Sequence, residues 1–174
     1  MRRIVILGCS GTGKSTFARQ LAAKLGLPVV HLDHLFFEPG WKPGQREDFR
    51  RKVSKAIEAE SWIVDGNFVS WVGDLLLPPA DTILWLEQPS WLCFLRVTLR
   101  CLDPRGSGRA DLPFGCRDSL TRELLADIWT FDRLRRVKIQ AALDAIVPDK
   151  PVTHLCGDGR ISAFLTDIET VATP

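Results

Sequence analysis

No stretch of this chain is apolar for long enough to approach a membrane span. It contains no internal repeat, no low-complexity tract and no linker-like run, so one domain over residues 1–174 is expected. The five cysteines (Cys9, Cys93, Cys101, Cys116 and Cys156) are odd in number and include no C-x-x-C pair. That pattern argues against a disulfide framework or a zinc site, and a reducing cytoplasm is the expected location. Histidine is scarce, and His31, His34 and His154 have no metal-ligand spacing, so loop or core roles are expected for them. The formal net charge of +2 is too small to predict nucleic-acid binding by itself. Met1-Arg2-Arg3 and the short apolar run after it are too brief for a secretory h-region, and that run is expected as the first strand. What is present is ordinary for a soluble globular protein: 45% apolar and 25% charged residues, in a chain long enough to bury a core.

One segment stands apart. Gly8-Cys9-Ser10-Gly11-Thr12-Gly13-Lys14-Ser15-Thr16 fits the phosphate-loop pattern G-x-x-x-x-G-K-[ST]. Each position has a physical task. Gly8, Gly11 and Gly13 let the backbone turn tightly and bring its N–H groups to phosphate oxygens. Lys14 reaches the β- and γ-phosphates of a nucleotide, and Ser15 offers a hydroxyl to Mg²⁺. Ser10, Thr12 and Thr16 complete the expected nucleotide-binding set. The flanks match the context the motif requires: an apolar run, Ile4 to Leu7, leads in, and an amphipathic helix with Phe17, Leu21 and Leu25 on one stripe leads out to Gly26.

Further strands are predicted at Pro28–Leu32, Trp62–Val64, Thr82–Leu86 and Val152–Leu155. Helices are predicted near 46–60, 90–102, 117–130, 132–147 and 160–171, with a Pro/Gly-punctuated loop through residues 39–44 and a mobile stretch over 103–116. Alternating strands and helices define an α/β fold, a parallel sheet covered on both faces. Right-handed crossovers then bring all strand C-termini to one edge, where Gly8, Asp33, Asp65 and Glu87 converge.

Between residues 96 and 136 there are nine arginines and no lysine. Arginine is preferred where planar, bidentate contacts to phosphate are needed. Arg96 with Arg100, and Arg133 with Arg136, are spaced to share helix faces around a segment carrying Arg105 and Arg109. This layout suggests a lid, with Arg100, Arg109, Arg133 and Arg136 neutralising a migrating phosphoryl group. The bland alternative pairs about half of these arginines with the six acids interspersed among them, which cut the local excess to +3, and Arg122 is the readiest candidate for a surface pair. The same acids weaken a nucleic-acid patch. Asp33 is placed to orient or deprotonate an acceptor hydroxyl, against a reading as a helix cap. Asp65 is placed to hold Mg²⁺ through water, against an Asp-Gly turn. Trp41 follows Asp33 in a polar loop, where it either stacks on an acceptor or packs. Cys9 fills a small loop position and is no nucleophile, though it is open to oxidation.

The later motifs are His31-Leu32-Asp33-His34-Leu35-Phe36, Trp62-Ile63-Val64-Asp65-Gly66-Asn67-Phe68, Pro89-Ser90-Trp91-Leu92-Cys93 with Arg96, and Arg109-Ala110-Asp111-Leu112-Pro113 leading to Gly115-Cys116. With the phosphate loop, they make the chain resemble, over about residues 3–165, the adenylate-kinase-related P-loop family often labelled "DNA topology modulation protein". The resemblance implies a P-loop NTPase with a five-stranded parallel sheet in order 2-3-1-4-5, an acceptor region over about 33–60 and a short lid over about 103–118. It implies ATP and Mg²⁺ as cofactors, with Ser15 and Asp65 at the metal, Arg100 at a lid hinge, and an adenine pocket near Gly157-Asp158-Gly159-Arg160. Residues 31–60 lack the AMP-binding motifs of true adenylate kinases. Three readings follow. The first is an ATP- and Mg²⁺-dependent phosphotransferase acting on a nucleotide or another small acceptor, with Lys14, Asp33 and the arginines catalytic. The second is an ATP-dependent regulator whose partner is a macromolecule such as DNA. The third is a shikimate- or gluconate-type kinase using Asp33 as base.

Overall fold

Ile4, Val5, Ile6 and Leu7 are all fully buried, because the strand that holds them lies mid-sheet with helices on both sides. A computed structural model describes residues 1–102 and 112–172. Strand β1 (Arg3–Gly8) pairs in parallel with β5 (Trp62–Asp65) on one side and β6 (Thr82–Glu87) on the other. Outside these lie β2 (Val29–His31) and β7 (Val152–Cys156), also parallel. The five strands therefore run second, third, first, fourth and fifth in chain order, as the family resemblance implies.

Side chains alternate across this sheet with a period of two. Ile4, Ile6, Ile63, Leu84 and Leu86 face one layer, formed by α1 (Lys14–Leu25) and α7 (Gly157–Ala172). Val5, Leu7, Trp62, Val64 and Trp85 face the other, formed by α3 (Arg46–Ala56), α4 (Val69–Leu76), α5 (Ser90–Leu102) and α6 (Arg122–Ile146). Each fully buried large aliphatic or aromatic side chain contributes about 1.5–3 kcal/mol. Helix α1 ends where Gly26 takes φ 66° and donates its N–H to Ala22 O.

Several elements differ from the sequence reading. The two helices expected over 117–130 and 132–147 are one 25-residue helix, α6, because nothing between Arg122 and Ile146 is Gly or Pro. Its start is set by Thr121, whose Oγ1 accepts the Leu124 N–H at 3.2 Å. Helix α4 was not expected. It is eight residues long, too short to show a helical period, and Gly73 interrupts its apolar stripe. A methyl at Gly73 would meet Val69 at 2.9 Å and Ile146 at 3.3 Å, so the glycine sets how closely α4 and α6 approach. The expected loop after β2 contains a short helix, α2 (Leu32–Phe36), and a two-residue hairpin of β3 (Phe37–Glu38) and β4 (Lys42–Pro43). Helix α3 stops at Ala56 rather than near 60, and α7 begins at Gly157 rather than 160. The segment proposed as a loop around adenine is therefore the first turn of α7. Among the described residues, no helix is long and apolar enough to cross a membrane.

Candidate active site

The phosphate loop lies between β1 and α1. Gly8, Gly11 and Gly13 take φ values of 143°, 89° and 93°, a region that side chains avoid. Space is as limiting as torsion. A methyl at Gly8 would sit 2.4 Å from Leu86 O, and one at Gly11 2.5 Å from Cys93 O. The loop therefore rests directly on β6 and on the first turn of α5. Cys9 O gathers three donors: Lys14 Nζ at 3.0 Å, Thr12 Oγ1 at 2.8 Å and the Thr12 N–H at 3.2 Å. The positive end of α1 begins at Lys14, so its unpaired first-turn N–H groups face the loop's concavity.

Asn67 locks the loop from the neighbouring strand end. Its Oδ1 accepts the Gly8 N–H at 3.1 Å, and its Nδ2 donates to Gly8 O at 2.5 Å. Sequence reasoning missed this role, although the residue follows the Asp65-Gly66 pair it did single out. Asp65 is buried at the end of β5. Parallel register sets it opposite His31 of β2, whose Nδ1 donates to Asp65 Oδ2 at 3.0 Å. The second carboxylate oxygen, Oδ1, is buried with no partner among the described protein groups. Burying such an atom unpaired is costly. A hard, oxygen-seeking dication close to Ser15 and Asp65 would satisfy it, so this donor set fits Mg²⁺.

Both residues line one cleft of about 880 Å³ at the C-terminal edge of the sheet. Lys14, Ser10, Gly11, Gly13, Thr16, Asp33 and Arg100, all singled out in the sequence, line it too. Asp33 lies in the first turn of α2, exposed to solvent and lining the cleft. Although exposed, it stands beside enough protein that partial desolvation holds its carboxyl above the ordinary range; Lys14 pulls the other way and the Asp65 charge adds to the rise. An aromatic wall faces the loop. Phe36, Phe37, Trp41, Phe68 and Trp71 all line the cleft, and Phe36 lies 4.8 Å from Phe68 and 5.0 Å from Trp71 between ring centroids. Trp41 is the one non-glycine among the described residues with positive φ, 61°, a strain of about 1–3 kcal/mol.

The arginines divide. Arg100 pairs with Asp118 at 2.9 Å, and its buried Nε has no partner among the described residues. Arg96 also lines the cleft and pairs at 2.6 Å with Asp158 of α7, which accepts Gln88 as well. Arg135, which the sequence reading passed over, lines the cleft and bonds Asp127. Two expected arginines lie elsewhere. Arg133 is exposed on α6 and lines neither this cleft nor the second cavity below, because α6 turns Arg135 rather than Arg133 toward the cleft. Arg136 lines a second cavity of about 400 Å³ behind the loop, where it bonds Glu87 and lies over the Trp85 ring. Thr12 turns its hydroxyl into the protein, and it too lines this second cavity. Arg109 falls outside the described residues. The Cys9 thiol is pushed far up by its hydrogen bond with Cys93 and by burial, in keeping with its expected lack of nucleophilic character.

A phosphate loop at the central strand end, strand-end carboxylates and this five-strand order together define a P-loop phosphotransferase. No family model matches the chain. A cytidylate kinase of Pyrobaculum aerophilum is 30% identical over 144 residues, which cover 74% of this chain and 76% of the relative. A shikimate kinase of Geobacter sulfurreducens is 28% identical over 136 residues, 74% of each chain. The solved structure of a shikimate kinase from Acinetobacter baumannii in complex with shikimate has a TM-score of 0.61 at 14% identity, covering 98% of this chain and 92% of that one. The chain belongs to the nucleoside-monophosphate-kinase-like P-loop kinases, and it has their fold.

Proposed function

We propose that this protein transfers the γ-phosphoryl group of ATP to a small-molecule or nucleotide acceptor bound between Asp33 and the aromatic wall. One observation carries the reading: Lys14, Ser15, Asp33 and Asp65 line a single cleft. The loop N–H groups and Lys14 grip the triphosphate, and Arg100, which lines the same cleft, brings its guanidinium charge to the transferring group. Ser15 and Asp65 would hold Mg²⁺, which when bound neutralises phosphate charge. His31 fixes the orientation of the Asp65 carboxylate. Asp33 accepts a hydrogen bond from the attacking group and, where that group is a hydroxyl, takes its proton. Its raised proton affinity suits that task. Arg109 belongs to the same proposal as a lid residue.

Calorimetric titration with ATP and Mg²⁺ tests the grip: wild type binds, and Lys14→Ala loses at least tenfold in affinity. Equal heats from the two proteins would falsify the proposal. The narrower family label suggests an effect on DNA. Adding duplex DNA with and without ATP tests that separately, since salt-dependent retention near physiological ionic strength would replace the acceptor reading with a regulator.

A further inference from the structure

The kinase reading leaves the acceptor's chemistry open, and the wall opposite the loop narrows it. Asp33, Phe36 and Phe37 stand at i, i+3 and i+4, so one face of α2 and its exit presents a carboxylate beside two rings, and all three line the cleft. Trp41 extends this surface, its ring 5.1 Å from that of Phe37. It is held at both ends, since its backbone N–H points to Cys116 Sγ at 3.3 Å and its indole N–H donates to Arg117 O at 2.7 Å. A strained tryptophan anchored twice, with its ring still on the cleft, marks a place where ring position matters.

Charge narrows the choice further. Arg96, Arg100 and Arg135 each already face a carboxylate: Asp158, Asp118 and Asp127. Asp33 and Asp65 both stand near Lys14. An acceptor carrying its own phosphate would have to compete with those carboxylates and approach two more. A polyol would leave the ring faces unused. We propose that the acceptor is an uncharged molecule of the nucleoside class, its flat ring on Trp41 and Phe37 and its hydroxyl at Asp33. The hydroxyl oxygen forms a bond to Pγ, the bond from Pγ to the β,γ-bridging oxygen breaks, ADP leaves, and the hydroxyl proton passes to Asp33. The transfer step rests on the kinase reading, whereas the ring-binding half stands without it.

The test measures ADP release and calorimetric binding for adenosine, cytidine, uridine and thymidine, their 5′-monophosphates, shikimate and gluconate. Wild type is compared with Trp41→Phe, Trp41→Ala and Trp41→Gly. The glycine variant removes the ring while relieving the positive φ, so it guards against loss of folding. At least one nucleoside is expected to bind and turn over, with Kd and KM raised about tenfold in the alanine and glycine variants and within about threefold in the phenylalanine variant. Preferential phosphorylation of a monophosphate or a polyol overturns the inference while leaving the kinase reading intact. Trp41-dependent nucleoside binding without ADP release from any acceptor sustains the inference and sinks the kinase reading. No nucleoside binding, or binding indifferent to Trp41, overturns the inference.

Discussion

The phosphate loop and the aromatic wall face each other across one cleft and are built by opposite means. The loop is nine consecutive residues whose working groups are mostly backbone N–H, shaped by three glycines with positive φ. The wall takes Phe36 and Phe37 from α2 and β3, Trp41 from the hairpin tip, and Phe68 and Trp71 from the start of α4. A site made of backbone is specified by local torsion, and so by a short pattern of glycines. A site made of side chains is specified by whatever packs its elements together.

Exchanging Asp33 for Asn breaks the comparison most sharply at the point where wall and loop meet. Turnover is expected to fall about 10²–10⁴-fold with the fold intact. Turnover by wild type is expected to fall as pH drops through the raised pKa of Asp33, so the acid limb of the rate profile lies above the ordinary carboxylate range. Stability runs the other way. The folded state binds this proton more tightly than the unfolded state, so the contribution of Asp33 to stability falls as pH rises from the ordinary carboxylate range through the folded value. Thermal melts of Asp33→Asn at neutral pH should therefore exceed wild type. A profile with its acid limb in the ordinary range, or a less stable variant, contradicts this assignment.

The loop's dependence on torsion and space is tested by Gly11→Ala. The added methyl meets Cys93 O at 2.5 Å on a backbone with φ 89°, and a loss of about 2–4 kcal/mol is expected from strain and overlap together. Urea unfolding measures it, and an unchanged midpoint would show that the loop gives way. Asn67→Ala strikes where tertiary structure intrudes on the loop. Unpairing both Gly8 groups should cost about 1–3 kcal/mol and weaken ATP binding as well; a stable variant with unaltered ATP affinity would make the clamp incidental. Arg133→Ala should do least, because the side chain is exposed and lines neither the cleft nor the second cavity. Turnover within twofold of wild type is expected, and a larger loss would place Arg133 in the site after all.

Much of this was legible before any coordinates. Ile4 to Leu7 and the glycines after them announced β1 and the loop, and Asp33 and Asp65 stood out as strand-end carboxylates because parallel strands all deliver their ends to one edge. The single α6 was hidden by a break assumed near residue 131, and α4 was hidden because eight residues with a central glycine carry no readable period. The arginines show the limit best. Arg133, Arg135 and Arg136 are equivalent in composition, yet only Arg135 lines the cleft, since a helix turns about 100° per residue.

The sequence alone determined the strand–loop–helix that grips phosphate and the five strands of the parallel sheet, because both rest on backbone torsion and near-neighbour patterning. Only the tertiary structure decided that Asn67 clamps Gly8, that His31 meets Asp65, and that five rings from separated segments form one wall beside Asp33. Those contacts join residues tens of positions apart, and their geometry follows from strand register and helix packing, which no short stretch of chain encodes.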